Sequence, residues 1–561
     1  MRALSAAGAA LTLPHAATRA DMPAEQPNIV LIMTDDQGYG DLGCHGNDVI
    51  DTPSVDRFST QAIEMTDFAV CPVCAPTRAG LMTGRHCYRT GVWETYRGGE
   101  TLRLDEVTIA ECLRDAGYET GIFGKWHLGD IYPWVPSNQG FNDGLYFRHG
   151  NWPYYDVPIE RNNQPVDNPG YLTDVFTDAA MEFIEKNQDG PFFCYVPYNA
   201  PHAPLQMPQH YEDKYMAMDL DENTAKCYGM IECIDDNVGR LLKRVDELSL
   251  TDSTLVIFMT DNGPQWPRYN CGLRNVKGSV YEGGIRVPFY ARWPEHFPAG
   301  AKCDSIGGNI DLLPTLLDAA GAPLPTAHKL DGISLMPLLT GEVDRLPDRM
   351  MFHHWQRSMA PEKYPNGAAR TQKWKLVNGE ELYDMESDPG ETTDLAADHP
   401  DLVQDLSAAY DEWWDDASTE RGFVRLPVPI GTDGDNPAKL IAMHAYIDGD
   451  ARYQYGGLLQ DRIMDWESTD DVIYWDVDVE TTGTYEASLE YRAADASQVS
   501  LTAADQTLEA DVVATEGRDW TSLPIGTLNL TAGPVKLSVQ ASSITGNSVM
   551  DLHEIRLKLL G

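Results

Sequence analysis

Three stretches of this chain are almost continuously apolar: Asn28-Ile29-Val30-Leu31-Ile32-Met33-Thr34, Pro191-Phe192-Phe193-Cys194-Tyr195-Val196 and Leu255-Val256-Ile257-Phe258-Met259-Thr260. Apolar runs of this length, rich in β-branched and aromatic residues and without polar alternation, predict strands buried on both faces. Between them apolar positions recur every three to four residues, at Val175, Ala179 and Phe183 and at Tyr228, Ile231, Ile234, Val238, Leu241, Val245 and Leu248, which predicts amphipathic helices. The alternation begins at Pro27 and continues to about residue 320. It predicts an α/β fold, a large mixed β-sheet sandwiched by helices, over residues 26–344.

The pattern then changes twice. Short runs at Trp374-Lys375-Leu376-Val377 and Glu381-Leu382-Tyr383-Asp384 precede a helical stripe through Leu402, Leu406, Tyr410 and Trp414, predicting a small α+β unit with an antiparallel sheet over residues 345–426. A Gly/Pro/Asp-rich linker follows from Pro427 to Pro437. Beyond it, Thr484 to Arg492 and Val535 to Val539 alternate apolar with polar at period two, which predicts an additional C-terminal β-sandwich over residues 438–561.

A length of 561 residues agrees with two or three domains. The formal net charge of −44 argues against nucleic acid or an anionic membrane as partner. It also looks unsuited to an anionic substrate, but at the ionic strength of seawater the Debye length falls to about 4–5 Å, and a pocket with its own cations is shielded from the bulk charge. The acidity is read as a salt-adapted, solvated surface or, alternatively, as that of a merely acidic secreted protein. Residues 1–20 read as a secretory signal, Met1-Arg2 and a small apolar run ending in Ala16-Ala17-Thr18-Arg19-Ala20, so export to the periplasm or medium is expected. No later apolar stretch approaches the length of a membrane span. The ten cysteines are too irregularly spaced for a disulfide framework. Cys71-Pro72-Val73-Cys74 is the one Cys-x-x-Cys pair, and neither a helix start after its first cysteine nor a second pair is evident.

Candidate chemistry collects where predicted strands end. Met33-Thr34-Asp35-Asp36 and Met259-Thr260-Asp261-Asn262 close two buried strands alike, and ligands of open α/β sheets gather at such carboxyl ends. Three carboxylates and one amide form an all-oxygen set, suited to Ca²⁺ or Mg²⁺ and not to zinc. Gly124-Lys125-Trp126-His127-Leu128-Gly129 sets Lys125 and His127 beyond a third short strand, Asn199-Ala200-Pro201-His202-Ala203-Pro204 follows a fourth, and Lys277 lies in Lys277-Gly278-Ser279-Val280-Tyr281-Glu282-Gly283-Gly284-Ile285-Arg286. Glu282 and Arg286 read as structural, while His45, His86, His353 and His354 read as structural or peripheral.

The run Cys74-Ala75-Pro76-Thr77-Arg78-Ala79-Gly80-Leu81-Met82-Thr83-Gly84-Arg85 resembles the signature of the sulfatase family, and the other motifs, in family order, extend that resemblance over residues 26 to 420. Thr77 departs from the usual serine. The resemblance implies an alkaline phosphatase-like fold and hydrolysis of sulfate esters. It implies that a maturation enzyme oxidises Cys74 to formylglycine, whose hydrated aldehyde is the nucleophile. It further implies calcium held by Asp35, Asp36, Asp261, Asn262 and the group derived from Cys74, with Arg78 holding formylglycine, Lys125, His202 and Lys277 binding sulfate, and His127 contacting the formylglycine hydroxyl. Export and the β-sandwich add the expectation of a sulfated polysaccharide or oligosaccharide substrate. A phosphonate or phosphate ester hydrolase of the same superfamily, and a catalytically inactive glycan-binding protein, remain open alternatives at this point.

Overall fold

The residues of strand Asn28–Thr34 divide between two hydrophobic clusters: Ile29, Leu31 and Met33 enter one, Val30 and Ile32 the other. Strand Thr254–Thr260 divides likewise, Leu255, Ile257 and Met259 against Val256 and Phe258. With both faces covered, each large apolar side chain withdrawn from water contributes about 1.5–3 kcal/mol, and no polar alternation is tolerated. The computed structural model describes residues 26–168, 170–456 and 461–561. The secretory-signal reading of residues 1–20 falls outside the described residues.

The central sheet is mixed and ten-stranded among the described residues. Asn28–Thr34 lies at its middle, parallel to Phe192–Pro197 on one side and to Thr254–Thr260 on the other. Glu119–Lys125 continues the parallel order from Phe192–Pro197 to Asp143–Phe147. Phe289–Arg292 pairs antiparallel with Thr254–Thr260, and a hairpin of Ile159–Arg161 and Gln164–Val166 forms the opposite edge. Helices Leu172–Lys186 and Glu222–Glu247 cover one face. Two details of the predicted stripes differ. Val175 is half-buried because the inward face runs through Leu172, Phe176, Ala179, Ala180 and Phe183, while Tyr228 and Ile231 pack with Ile50 and Tyr215 in a separate small cluster.

Strands Met351–His354, Gly367–Arg370, Trp374–Val377 and Glu381–Asp384 form an antiparallel sheet. The helix Pro400–Arg421 sends Tyr410, Trp413 and Trp414 into the same cluster as one face of the large sheet. Buried ions tie the two together. Lys375 Nζ lies 2.8 Å from Glu282 and 2.7 Å from Glu391, all three inaccessible to solvent, and Arg370 grips both oxygens of Asp67.

Beyond residue 427 two β-sheets enclose one core, antiparallel except that Val428–Ile430, within the stretch expected to be a linker, pairs parallel with Val472–Val479; Ile131 and Trp134 also belong to this core although they come from the stretch after His127. Asp435 accepts from Tyr132 N at 3.2 Å and pairs with Arg148 at 3.1 Å. His444 sits between Glu100 (3.4 Å) and Asp130 (3.5 Å). Burial opposes its charge, but the two carboxylates outweigh burial and lift its pKa to about 9. Among the described residues no helix is long and apolar enough to cross a membrane.

Two stability predictions follow from these ion clusters. Lys375→Met leaves Glu391 buried without its ammonium, beside a Glu282 that keeps only Arg286 and Arg370, and should cost about 3–5 kcal/mol in denaturant unfolding. His444 titrates higher in the fold than its ordinary 6.5, so its stabilisation is fully present below pH about 6.5 and fades as pH rises through about 9. The Tm gap between wild type and His444→Gln should therefore be wide at acidic pH and close on the alkaline side; a pH-independent gap would contradict the assignment.

Candidate active site

Register brings the first residues together. Thr34 pairs with Thr260, so the two strands release Asp35-Asp36 and Asp261-Asn262 side by side. Asp36 adopts a left-handed φ of 66°, a conformation aspartate tolerates at functional turns, and its N–H donates to Asp261 Oδ1 at 3.2 Å. Asn262 Nδ2 donates to Asp36 Oδ1 at 2.8 Å. Arg78 crosses behind, donating through Nε and Nη2 to Asp261 Oδ2 and through Nη1 to the Lys125 carbonyl at 2.9 Å.

Cys74 is the first residue of helix Cys74–Thr83, which ends at Gly84. This corrects the expectation that no helix begins at the Cys-x-x-Cys pair. Pro76 is the third residue of that helix, in the first turn, where its missing N–H has no intrahelical acceptor to lose. Cys71 reaches Cys87, Sγ to Sγ 3.8 Å.

Lys125 ends its strand fully buried, with Nζ 2.6 Å from Asp35 Oδ2. Gly124 before it has a φ of 146°, and a Cβ there would lie 2.0 Å from the Pro197 carbonyl, so the close strand approach that presents Lys125 requires glycine. Lys277 Nζ lies 2.5 Å from Asp36 Oδ1, and His202 Nε2 3.7 Å from Asp36 Oδ2. Burial raises Asp36, but Lys277 and His202 overcome it and hold the carboxyl well below its usual range. Burial, then Asp261, pushes Asp35 up. Burial lowers Lys277 as well, yet Asp36 and the neighbouring acids raise it overall, so it stays an ammonium.

Both histidines have their tautomers set by backbone carbonyls. His127 Nε2 lies 3.0 Å from Thr95 O, so that nitrogen carries the proton and Nδ1, buried without a hydrogen-bond partner, is a bare acceptor. His202 Nδ1 lies 2.7 Å from Ala203 O, leaving Nε2 unprotonated in the neutral ring. Burial, reinforced for His127 by Lys125, brings that ring down to about 3; burial with Lys277 and Lys125 does the same for His202 against Asp36.

A cavity of about 470 Å³ opens over this set. Cys74, His127, His202 and Lys277 form part of its wall, whereas Asp35, Asp36, Arg78, Lys125, Asp261 and Asn262 lie behind them. The wall also includes residues that the sequence did not single out: Thr95, Asp130, His149, Asn151, Trp355, Arg357 and Met443. Arg148-His149-Gly150-Asn151 follows the parallel strand Asp143–Phe147, and that strand end was the available signal. Arg148 O accepts from His127 N at 3.0 Å, and a Cβ on Gly150 would meet the His127 ring at 2.5 Å. His86, His353 and His354 are buried around the small sheet, and His45 contacts Glu64 and Tyr290, all off this wall.

The oxygen set fits a hard divalent cation. Asp35 Oδ1, Asp36 Oδ2 and Asn262 Oδ1 are all buried without a hydrogen-bond partner, a condition that costs about 1–3 kcal/mol each unless a ligand satisfies it. Asp35, Cys74 and Asp261 offer ligand atoms within 4.8 Å of one another, as do Asp35, Asp36 and His202. Cys71, His86 and Cys87 form another such group.

Comparison with known proteins gives three matching family models: Sulfatase over residues 27–322, N-sulphoglucosamine sulphohydrolase, C-terminal, over 275–412, and a domain of unknown function (DUF5077) over 441–559. Human (Homo sapiens) arylsulfatase A is 35% identical over 436 residues, covering 68% of this chain and 82% of that protein. Human (Homo sapiens) N-acetylgalactosamine-6-sulfatase is 31% identical, covering 59% and 68% respectively. The crystal structure of Ps i-CgsB in complex with k-i-k-neocarrahexaose superposes with a TM-score of 0.67 at 30% identity, covering 72% of this chain and 95% of that one.

A cation bound by these oxygens stabilises the fold by mass action, by about 2.7 kcal/mol at a hundred times its Kd. Millimolar Ca²⁺ or Mg²⁺ should therefore raise Tm above its value in chelator, and Asp36→Asn should remove most of that rise.

Proposed function

The chain belongs to the sulfatase family and is a sulfuric ester hydrolase; from that premise we propose that it is an exported, calcium-dependent enzyme acting on sulfated glycans through formylglycine at position 74. The observation that carries the reading is the buried oxygen set with its unsatisfied atoms directly behind Cys74, facing a cavity that bears Lys277, His202 and His127. Calcium on Asp35, Asp36, Asp261 and Asn262 would supply positive charge that polarises the sulfate and lowers the pKa of an adjacent hydroxyl. Formylglycine, installed by a separate maturation enzyme, would supply as its hydrate one hydroxyl for attack and a second whose deprotonation releases sulfate.

The chain's own residues do the rest. Arg78 and Lys125 fix the carboxylates behind position 74. Lys277 holds a non-bridging sulfate oxygen, while His202, expected from the resemblance to bind sulfate too, presents a bare Nε2 that has no proton to give an anion. His127 Nδ1 accepts a hydrogen bond from a hydroxyl at position 74, because its other nitrogen is committed to Thr95 and burial keeps the ring neutral. His202 and Lys277 both line the cavity from which the departing oxygen must take a proton. His202 donates its Nδ1 proton to Ala203 and is held neutral by burial, so we assign the departing-oxygen proton to Lys277. The sulfated-glycan assignment draws on N-acetylgalactosamine-6-sulfatase and on the neocarrahexaose complex among the similar proteins.

Matched aryl sulfate, phosphate and phosphonate esters test the reaction class: sulfate should be turned over fastest, and faster phosphate turnover would overturn the choice. Peptide mass analysis should find aldehyde at position 74, and Cys74→Ala should lower kcat by about 10⁴-fold or more with Tm retained. Lys277→Ala should slow alkyl and sugar sulfates by about 10²–10⁴-fold and activated aryl sulfates much less, since a good leaving group needs no proton. Equal losses on both classes would remove Lys277 from that role.

A further inference from the structure

Two cavities of this molecule meet at one pair of residues. The inner cavity is the one over Cys74. The outer, about 460 Å³, lies between the edge hairpin of the large sheet and the C-terminal β-sandwich. Asp130 and His149 line both.

The sandwich reaches each of them. Met443 is part of the inner wall, and Lys439 and His553 are part of the outer one. His149 is held at the junction by Asp130, Nδ1 to Oδ1 3.1 Å, and by stacking on Trp152 at 5.1 Å. Asp130 is anchored in turn by His444, the neighbour of Met443 in sequence. On the far side His553 stacks on Trp520 at 4.5 Å, with the Arg492 guanidinium 3.9 Å from the centre of the same indole.

Both volumes fall in the range of small-molecule sites. The outer wall carries charges of both signs, Lys439 and Arg556 together with Glu160 and Glu554. Such a surface suits the hydroxyls of a sugar better than a densely anionic stretch. We propose that the two cavities are one oligosaccharide cleft: the sulfated sugar occupies the inner cavity and its neighbour crosses His149 into the outer one, with the β-sandwich as the far wall. The proposal rests on the sulfate ester hydrolase reading and names the part of the glycan that this site recognises. His149 is then a positioning residue at the step between two sugar units, and the sandwich is part of the substrate site.

The test compares 4-nitrophenyl sulfate with mono-, di- and tetrasaccharides bearing one terminal sulfate, in galactan and glycosaminoglycan series, on the full chain. In the series the enzyme prefers, kcat/KM should rise about ten-fold or more with length, equivalent to about 1.4 kcal/mol. Gln164→Trp, at an exposed hairpin position that lines the outer cavity, should cut tetrasaccharide kcat/KM about ten-fold more than that of 4-nitrophenyl sulfate. His149→Ala should do the same mainly through KM. No length dependence in either series, or equal losses on long and short substrates, would overturn the cleft. If no sulfate ester is turned over, the reaction reading fails by itself. Calorimetric binding of the same tetrasaccharides then decides this proposal: length-dependent binding that Gln164→Trp loses supports it, and its absence overturns it.

Discussion

Three carboxylates buried at one point are the constraint on which this molecule depends. The parallel register of Asn28–Thr34 and Thr254–Thr260 leaves no choice about their meeting, because Thr34 opposite Thr260 releases Asp35, Asp36 and Asp261 side by side in space. Charges taken out of water must find counter-charges or lose their protonation state. Three segments far apart in sequence each bring one cation: Arg78 to Asp261, Lys125 to Asp35, Lys277 to Asp36. The helix from Cys74, the strand ending at Lys125 and the loop at Lys277 are thereby fixed relative to the sheet.

That neutralisation divides the site into two layers. Arg78 and Lys125 have no exposure to the cavity and act as fixed charge behind it, while Lys277, on the wall, combines a carboxylate contact with access to an anion. The two wall histidines are fixed in opposite tautomers by backbone carbonyls, His127 by Thr95 of a separate segment and His202 by the adjacent Ala203. One is left with a bare Nδ1 and the other with a bare Nε2. Placement of protons is thus decided by backbone geometry before any substrate enters, which is the sense in which the site is preorganised.

The legible part of this arrangement was the part written in continuous runs. Strands buried on both faces cannot alternate, so their ends are visible, and the polar residues just past them were readable as a set: Asp35, Asp36, Asp261, Asn262, Lys125, His127 and His202. The recognised motif around Cys74 supplied its chemistry but not its local structure, a helix that begins at the cysteine itself. Asp130 and Met443 were illegible for a different reason. They stand singly, one in a bend and the other in a short 3₁₀ turn, with no period to mark them, and what gives them significance is contact with a distant segment. The same holds for the helix Leu172–Lys186, where the three-to-four spacing located the helix but misjudged its inward face near Val175, since periodicity alone does not say which edge of an apolar stripe the sheet will cover.

The C-terminal sandwich carries this difference furthest. Period-two alternation announces two sheets around a core but says nothing about where they dock. A module tethered by a flexible linker needs no shared core and no buried ions with its neighbour, and interfaces of that kind are ordinarily polar and loose. Here Ile131 and Trp134 lie inside the sandwich core, four and seven residues after His127, and a buried imidazole of the sandwich satisfies two carboxylates of the other part. Unpairing either carboxylate would be costly, so the relative orientation is selected and not merely allowed. The stretch from His127 to Gly150 is consequently held by both parts, by the large sheet at Lys125 and by the sandwich at Asp130 and, near its other end, through Arg148 on Asp435. A wall built that way keeps its shape only while both parts are present, which makes the β-sandwich a structural condition of the cavity it borders.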